Sequence, residues 1–281
     1  MAEVARSHQE LLRDINGTKL VHGKAAFWWL GQLGFVVKLG STIVYLDPYL
    51  ARNPGRRTRP LLWPEEATNA TICTGSHDHG DHIDPQAIHG LAAHSPGCKF
   101  AVPNPHVERV VALGCSRDSV VGLRPDETAV VAGVKITGVK AKHESFDDTE
   151  FGFPHLGYIL EANGVCFYHS GDTLVYEGLV TTLLQYPLDA MFVPINGRDA
   201  RRFRTGCIGN MTYQEAVDLA GDVGPRLVVP GHYDMFAHNS ADPDEFADYL
   251  DAKFPDIPCW IGPAGEKVIF GGPWSANDKP A

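Results

Sequence analysis

The sequence predicts an α/β protein folded as a four-layer αββα sandwich in a single domain. Three observations point there. Short apolar strand segments recur in both halves of the chain, and each half also carries helices with clear capping signals. No internal repeat and no low-complexity linker divides the halves. The 281 residues are 44% hydrophobic and 21% charged, which is enough apolar material for one large core.

The elements follow in chain order. In "MAEVARSHQELLRDINGTK" the spacing of Val4, Leu11, Leu12 and Ile15 predicts a short amphipathic helix lying over the domain. Residues 1–24 then form a helical extension and residues 25–275 the main domain. "AAFWWLGQLGFVVKLG" and "STIVYLDPYL" give two or three β segments with glycine-centred turns, and "ATICTG" gives a short apolar strand. "DPQAIHGLAA" starts a helix with Asp84 as N-cap and Pro85 in its first turn. "KFAVP", "TAVVAGVKITGVKA" and "LGYILEANGVCFYHSGD" continue the strands, the last broken by "ANG" as a hairpin turn. "LDAMFVPING", "RLVVPGH" and "PCWIG…KVIFGG" supply the later strands. Between them, "TYQEAVDLAGDVG" opens on a capping box of Thr212 and Glu215, and "DPDEFADYLDAKF" repeats the Asp-Pro start at Asp242. Two β-then-helix halves are satisfied by two sheets packed face to face with helices outside.

Composition narrows the function. No apolar stretch approaches the roughly 18 residues of a membrane span. The N-terminus is charged throughout and does not read as a secretory signal, so cytoplasm is the expected location. A net charge of −10 disfavours nucleic-acid polymers and anionic membranes as partners. The six cysteines are scattered with no C-x-x-C pair, as expected of reduced, mostly buried thiols. The arginines are uneven: of 14, four lie in "RNPGRRTRP" (Arg52, Arg56, Arg57, Arg59) and four in "GRDARRFR" (Arg198, Arg201, Arg202, Arg204). Such runs are commonly solvated faces; alternatively one or both rim a pocket for an anionic substrate, since guanidinium binds phosphate and carboxylate in bidentate fashion.

The chemistry concentrates in "SHDHGDHID", residues 76–84. A chain leaving a strand in extended form turns alternate side chains the same way, so His77 and His79 can face one cation. Gly80 permits a turn, after which Asp81 and His82 can face a second point. Imidazole with carboxylate and no thiolate suits zinc, manganese or iron in a catalytic site. One loop cannot complete two coordination spheres, and three further candidates stand at or just beyond strand ends: His143, Asp172, which could bridge two metals, and His232. Glu144 and Asp147 stand close to His143 in "KHESFDD" as alternatives. Asp47, ending "IVYLDP", is expected either to accept a hydrogen bond from a ligand imidazole or water, or simply to start the turn before Pro48. His8, His22, His89, His94, His106, His155, His169 and His238 read as structural or exposed.

H-x-H-x-D-H after a strand, a strand-end His, a "GD" aspartate and a late "GH" together resemble the metallo-β-lactamase superfamily over nearly the whole chain. The resemblance implies an αββα sandwich with a dinuclear site at one edge. His77, His79 and His143 would bind the first divalent metal and Asp81, His82 and His232 the second, with Asp172 bridging. "FWWLGQLGFVVKL", "SHDHGDHIDPQA", "FYHSGDTLVY", "NMTYQEAVDLA" and "LVVPGHYDMF" are similar to the L-ascorbate-6-phosphate lactonase branch, which implies zinc or manganese and a cytoplasmic enzyme. Two features depart from that branch: His143 itself, and Tyr233 in the place of a second histidine after His232.

The expected activity is therefore that of a metal-dependent hydrolase whose metal-activated hydroxide opens an anionic, sugar-phosphate-like lactone. The alternative is a phosphodiesterase on a small nucleotide or phospholipid-type substrate. Asp81 and Asp172 carry the catalytic roles, Asp81 also orienting the nucleophile. Arg198 and Arg202 would hold the anionic tail, with Asn196, Asn210, Tyr176 and Tyr233 as polar pocket groups. A homo-oligomer is possible, with the N-terminal helix and the segments near Trp63 and Trp274 as candidate contacts.

Overall fold

The computed structural model describes residues 7–272. Val4, Trp274 and the expected domain end at residue 275 lie outside them.

Helix α1 (His8–Gly17) starts on a capping box formed by Ser7 and Glu10 and buries Leu11 and Ile15. The first sheet then begins with β1 (Ala25–Gly31), β2 (Gly34–Leu39) and β3 (Thr42–Leu46), an antiparallel meander. Strands β4 (Ile72–Thr74), β5 (Lys99–Pro103) and β6 (Val120–Leu123) extend it in parallel, with α2 (Pro85–His94) and α3 (Val107–Ala112) as crossovers. The second sheet opens with β7 (Thr128–Val131), β8 (Val134–Lys140), β9 (Leu156–Ala162) and β10 (Val165–His169), all antiparallel. After α4 (Leu179–Leu183), β11 (Ala190–Pro194) adds in parallel. Helices α5 (Ala200–Arg204) and α6 (Tyr213–Val223) follow, and β12 (Val228–Gly231) closes the parallel edge. Beyond α7 (Pro243–Lys253), β13 (Lys267–Phe270) returns to the first sheet and pairs with β1.

Strand β1 explains the layering. Its seven residues are all buried, which only a strand covered on both faces can sustain. Ala25, Phe27 and Trp29 enter the core between the sheets, whereas Ala26, Trp28 and Leu30 enter a second core with Leu11, Ile15, Ile88 and Leu91 of the outer helices. The inter-sheet core is aromatic: the Phe27 ring meets those of Phe192 and Trp260 at 5.2 Å, edge to face. Helices α6 and α7 cover the far sheet with Val217, Leu219, Phe246 and Leu250. These are the four layers expected from the sequence.

The structure departs from expectation at several short elements. "PCWIG" is no strand: Cys259 makes only an isolated bridge to Val228. Strand β6 and helices α3, α4 and α5 are additions of four to six residues each. Trp63, partly buried, lies beneath the Arg52 guanidinium at 4.5 Å and edge-on to His8. Cys73, Cys98, Cys115 and Cys166 are buried and Cys207 and Cys259 partly so; all six are free. Among the described residues no helix is long and apolar enough to cross a membrane.

Candidate metal centre

Ligand-type side chains from both sheets converge at one edge of the sandwich. The "SHDHGDHID" loop leaves β4, and the N–H groups of His82 and Ile83 both return to the His79 carbonyl, at 3.0 and 2.9 Å. That turn brings Asp81 and His82 back beside His77 before Asp84 caps α2 by accepting from the Gln86 N–H. From the second sheet come His143, just past β8, Asp172, just past β10, and His232, just past β12. Gly171 permits the close approach: it adopts φ +56°, and a Cβ there would stand 2.7 Å from the Ser76 Cβ and 2.8 Å from the Leu156 carbonyl oxygen.

Two groups of donors result: His77, His79, His143 and Asp172 in one, and Asp81, His82 and His232 in the other, each with ligand atoms within 4.8 Å of one another. Asp172 stands between them. Its Oδ2 lies 3.9 Å from His143 Nε2 and 3.2 Å from His232 Nε2, while its Oδ1 lies 3.3 Å from His82 Nε2.

The donor set fits divalent cations. His79 Nδ1 lies 2.9 Å from His77 Nε2 and 3.3 Å from His143 Nε2, so three imidazole nitrogens point at nearly one spot. Three such nitrogens cannot all satisfy one another by hydrogen bonding; a cation among them removes the conflict. Likewise His82 Nε2 and Asp172 Oδ1 are buried without a hydrogen-bond partner despite their short separation. Gln32, Asp47 and His232 all hold positive φ (55°, 40° and 61°), a concentration of backbone strain at this edge.

Asp47 anchors the arrangement from below. Fully buried, it accepts from the Ser76 N–H at 3.0 Å, the Ser76 hydroxyl at 2.5 Å and the His82 Nδ1–H at 2.7 Å. Its grip on Nδ1 leaves His82 Nε2 facing the cluster. Ser76 Oγ lies 2.9 Å from His77 Nδ1 and fixes that ring in the same sense.

The charges follow from burial and proximity. Burial pushes His77 well below the usual histidine range and His143 down to about 4. For His232, burial lowers the pKa, but Asp172 and Asp81 outweigh it and raise the value to about 9. His82 is raised well above its ordinary value by the same two carboxylates. In turn His82 and His232 overcome the burial of Asp81 and Asp172 and hold both carboxyls below the usual range.

Three contributors, Gln32, Ser76 and His155, were not singled out by the sequence. Gln32 donates from Nε2 to Asp81 Oδ2 at 2.7 Å and lies 3.1 Å from His232 Nε2. A lone polar residue inside "WWLGQLGFVV" is its only sequence signal. Ser76 heads the quoted motif but carries no ligand chemistry of its own. The His155 ring, read as structural or exposed, stands 5.7 Å from that of His77 and 5.9 Å from that of His143, and burial pushes its pKa down to about 4. Glu144, considered beside His143, instead meets His79 Nε2 at 3.0 Å; no contact ties Asp147 to the cluster.

The expected anion-binding group is arranged differently. Arg198 gives both terminal nitrogens to Glu215, at 2.5 and 2.7 Å, and Arg202 donates to Asp199, the Asn196 carbonyl and Asn239. Arg198 thus ties the 197–212 loop to α6, and Arg202 ties it to Asn196 and Asn239. Asn210 is buried and donates to Asn196 Oδ1. Tyr176 donates to the Lys140 carbonyl, and the buried Tyr233 packs on Trp29 with centroids 5.0 Å apart.

Comparison with known proteins matches residues 42–233 to a family model described as a beta-lactamase superfamily domain, a span that holds all seven donor residues. The chain belongs to the metallo-β-lactamase superfamily. Within that superfamily it belongs to the UPF0173 metal-dependent hydrolases: the one from Thermococcus kodakarensis is 32% identical over 220 residues, covering 78% of this chain and 88% of its own. Another, from Nitratidesulfovibrio vulgaris, is 29% identical over 246 residues, or 86% and 94% of the two chains. Among solved structures, Igni18, described as a metallo hydrolase from Ignicoccus hospitalis, superposes with a TM-score of 0.72 at 23% identity, covering 89% of this chain and all of that one. That likeness speaks for the metallo-β-lactamase fold.

Proposed function

We propose that the protein is a metal-dependent hydrolase that holds two divalent cations, zinc or manganese, and opens the ester of a small anionic lactone. His77, His79, His143 and Asp172 would hold one ion, and Asp81, His82 and His232, with Asp172 between, the other. The observation that carries this reading is Asp172, whose two oxygens face histidines of both groups. Bound there, the ions would supply Lewis-acid polarisation of the substrate oxygen and a water acidified toward neutral pH.

The protein's own groups do the rest. Asp81 has 21% of its side chain exposed, against 5% for Asp172, so it is the carboxylate open to an incoming water. Gln32 holds Asp81 through Oδ2, with His82 and His232 on the same oxygen's side, leaving Oδ1 to orient that water. Glu144 at the rim keeps the His79 ring turned with Nδ1 inward.

The lactone follows from the resemblance to the L-ascorbate-6-phosphate lactonase branch. A small phosphodiester is the second reading, favoured by the arginine-rich segment 52–59. Polymeric nucleic acid and membranes are not expected partners of so acidic a chain, and the cytoplasm is its expected place. The test is metal analysis of purified protein, then a hydrolysis screen of anionic lactones and phosphodiesters after reconstitution with zinc or manganese. Two ions per chain with lactone turnover is the expected result. Turnover of phosphodiesters alone would move the substrate class, and less than one ion per chain would overturn the ligand assignment.

A further inference from the structure

The metal centre gives no role to "RNPGRRTRP". This loop is pinned on two sides to segments that carry proposed ligands. The Arg57 N–H donates to the Met235 carbonyl at 2.8 Å and the Thr58 hydroxyl reaches the Met235 sulfur at 3.2 Å, three residues past His232. On the other side the N–H groups of Leu50 and Ala51 both donate to Asp84 Oδ2 at 2.8 Å, two residues past His82. Against Trp63 the loop forms an open surface hollow of about 510 Å³, lined by Arg52, Arg56, Arg57, Thr58, Arg59 and Trp63 among others. That is the size of a site for a small molecule.

The donors there are unevenly used. Arg52 lies over Trp63 and pairs with Glu65 at 2.5 Å. Arg56 lies over the Tyr49 ring at 4.6 Å and gives Nη1 to the Tyr49 and Ala51 carbonyls, while its Nη2 is buried without a partner. Arg57 and Arg59 are exposed, and among the described residues neither guanidinium has a partner. Arginines on a solvated face point outward independently. Here four share one concavity in a chain of net charge −10, with donors left over.

We infer that this hollow binds the phosphate group of a small phosphomonoester, holding the tail of the molecule beside the metal centre. The tail's role as part of a substrate rests on the hydrolase reading above; the anion site itself does not. Arg57 and Arg59 supply bidentate donors, Arg56 a buried one, and the Arg52–Trp63 pair a wall.

Calorimetric titration of metal-loaded protein with inorganic phosphate tests the site, using R57A/R59A, R57K/R59K and R198A variants. Arg57 and Arg59 are exposed, so the double variant should fold, as circular dichroism would check. Loss of about tenfold or more in phosphate affinity is expected in R57A/R59A, since two charge-assisted contacts go. Partial recovery is expected in R57K/R59K and no change in R198A. Affinity in R57A/R59A equal to wild type would overturn the proposal, because phosphate would then be binding elsewhere, at the metals above all. A phosphorylated lactone and its unphosphorylated form separate the two readings. A raised KM of R57A/R59A for the phosphorylated form alone supports both. Arginine-dependent phosphate binding with no lactone turnover keeps the anion site and removes the lactonase reading. Lactone turnover with arginine-independent phosphate binding does the reverse.

Discussion

Asp47 makes no contact that ligand spacing alone would demand, yet it sets the direction of His82. Replacing it with Asn keeps the shape and removes the charge that holds the His82 Nδ1–H. Asp47→Asn should weaken metal affinity by about 10–100-fold, measured by competition with a chromogenic chelator; unchanged affinity would reduce Asp47 to a turn residue. The protonation state of the cluster gives a second expectation. Without metal, His82 and His232 carry protons, His232 up to a pKa of about 9. A ligand histidine must be neutral, so metal binding expels protons and its affinity rises with pH until both histidines have lost theirs. Calorimetry in buffers of different ionisation enthalpy counts those protons, and a heat independent of buffer would contradict the charge assignment. At this scale the seven donor residues were legible because ligand chemistry is written in residue type and strand-end position. Gln32 and His155 were not, since each joins the cluster only through contacts between distant segments, and the Arg198–Glu215 pair was not either, because Glu215 is 17 residues away and reads as a capping residue alone.

Helix α2 illustrates how an element positions the site. Asp84 caps it, and the other oxygen of the same carboxylate receives the Leu50 and Ala51 N–H groups. Asp84→Ala therefore removes a cap and orphans two buried donors, at a cost of at least about 2 kcal/mol. Chemical denaturation would measure that loss. Phosphate affinity should fall with it, because the arginine loop loses its anchor; a variant as stable as wild type would refute this account. The long capped helices α2, α6 and α7 were readable because each cap and its partner lie within one turn of sequence: Asp84 with the Gln86 N–H, Thr212 with Glu215, and Asp242 with the Asp244 N–H. Helices α3, α4 and α5 span only five or six residues, too short to be stable alone, and exist because packing holds them. "PCWIG" has strand composition, but only two backbone hydrogen bonds tie it to β12: Val228 N–H to the Pro258 carbonyl and Trp260 N–H to the Val228 carbonyl.

Across the whole molecule, burial of β1 on both faces fixes which side of each sheet meets the other, and the aromatic contacts of Phe27 lock that choice. Two-sheet architecture was legible because continuous apolar strands demand cover on both faces; strand order was not, since β13 joins β1 across some 240 residues. If the donor groups hold metal, chelation should lower the melting temperature, because the ion binds only the folded chain; calorimetric scans with and without chelator would read it, and identical scans would deny the coupling. His77, His79, Asp81 and His82 hang from the first sheet, whereas His143, Asp172 and His232 hang from the second. Each ion would thus act as a rivet through both plates, unable to depart until the plates part at that rim, so the slowness of isotope exchange at the centre would be a clock for breathing of the sandwich itself.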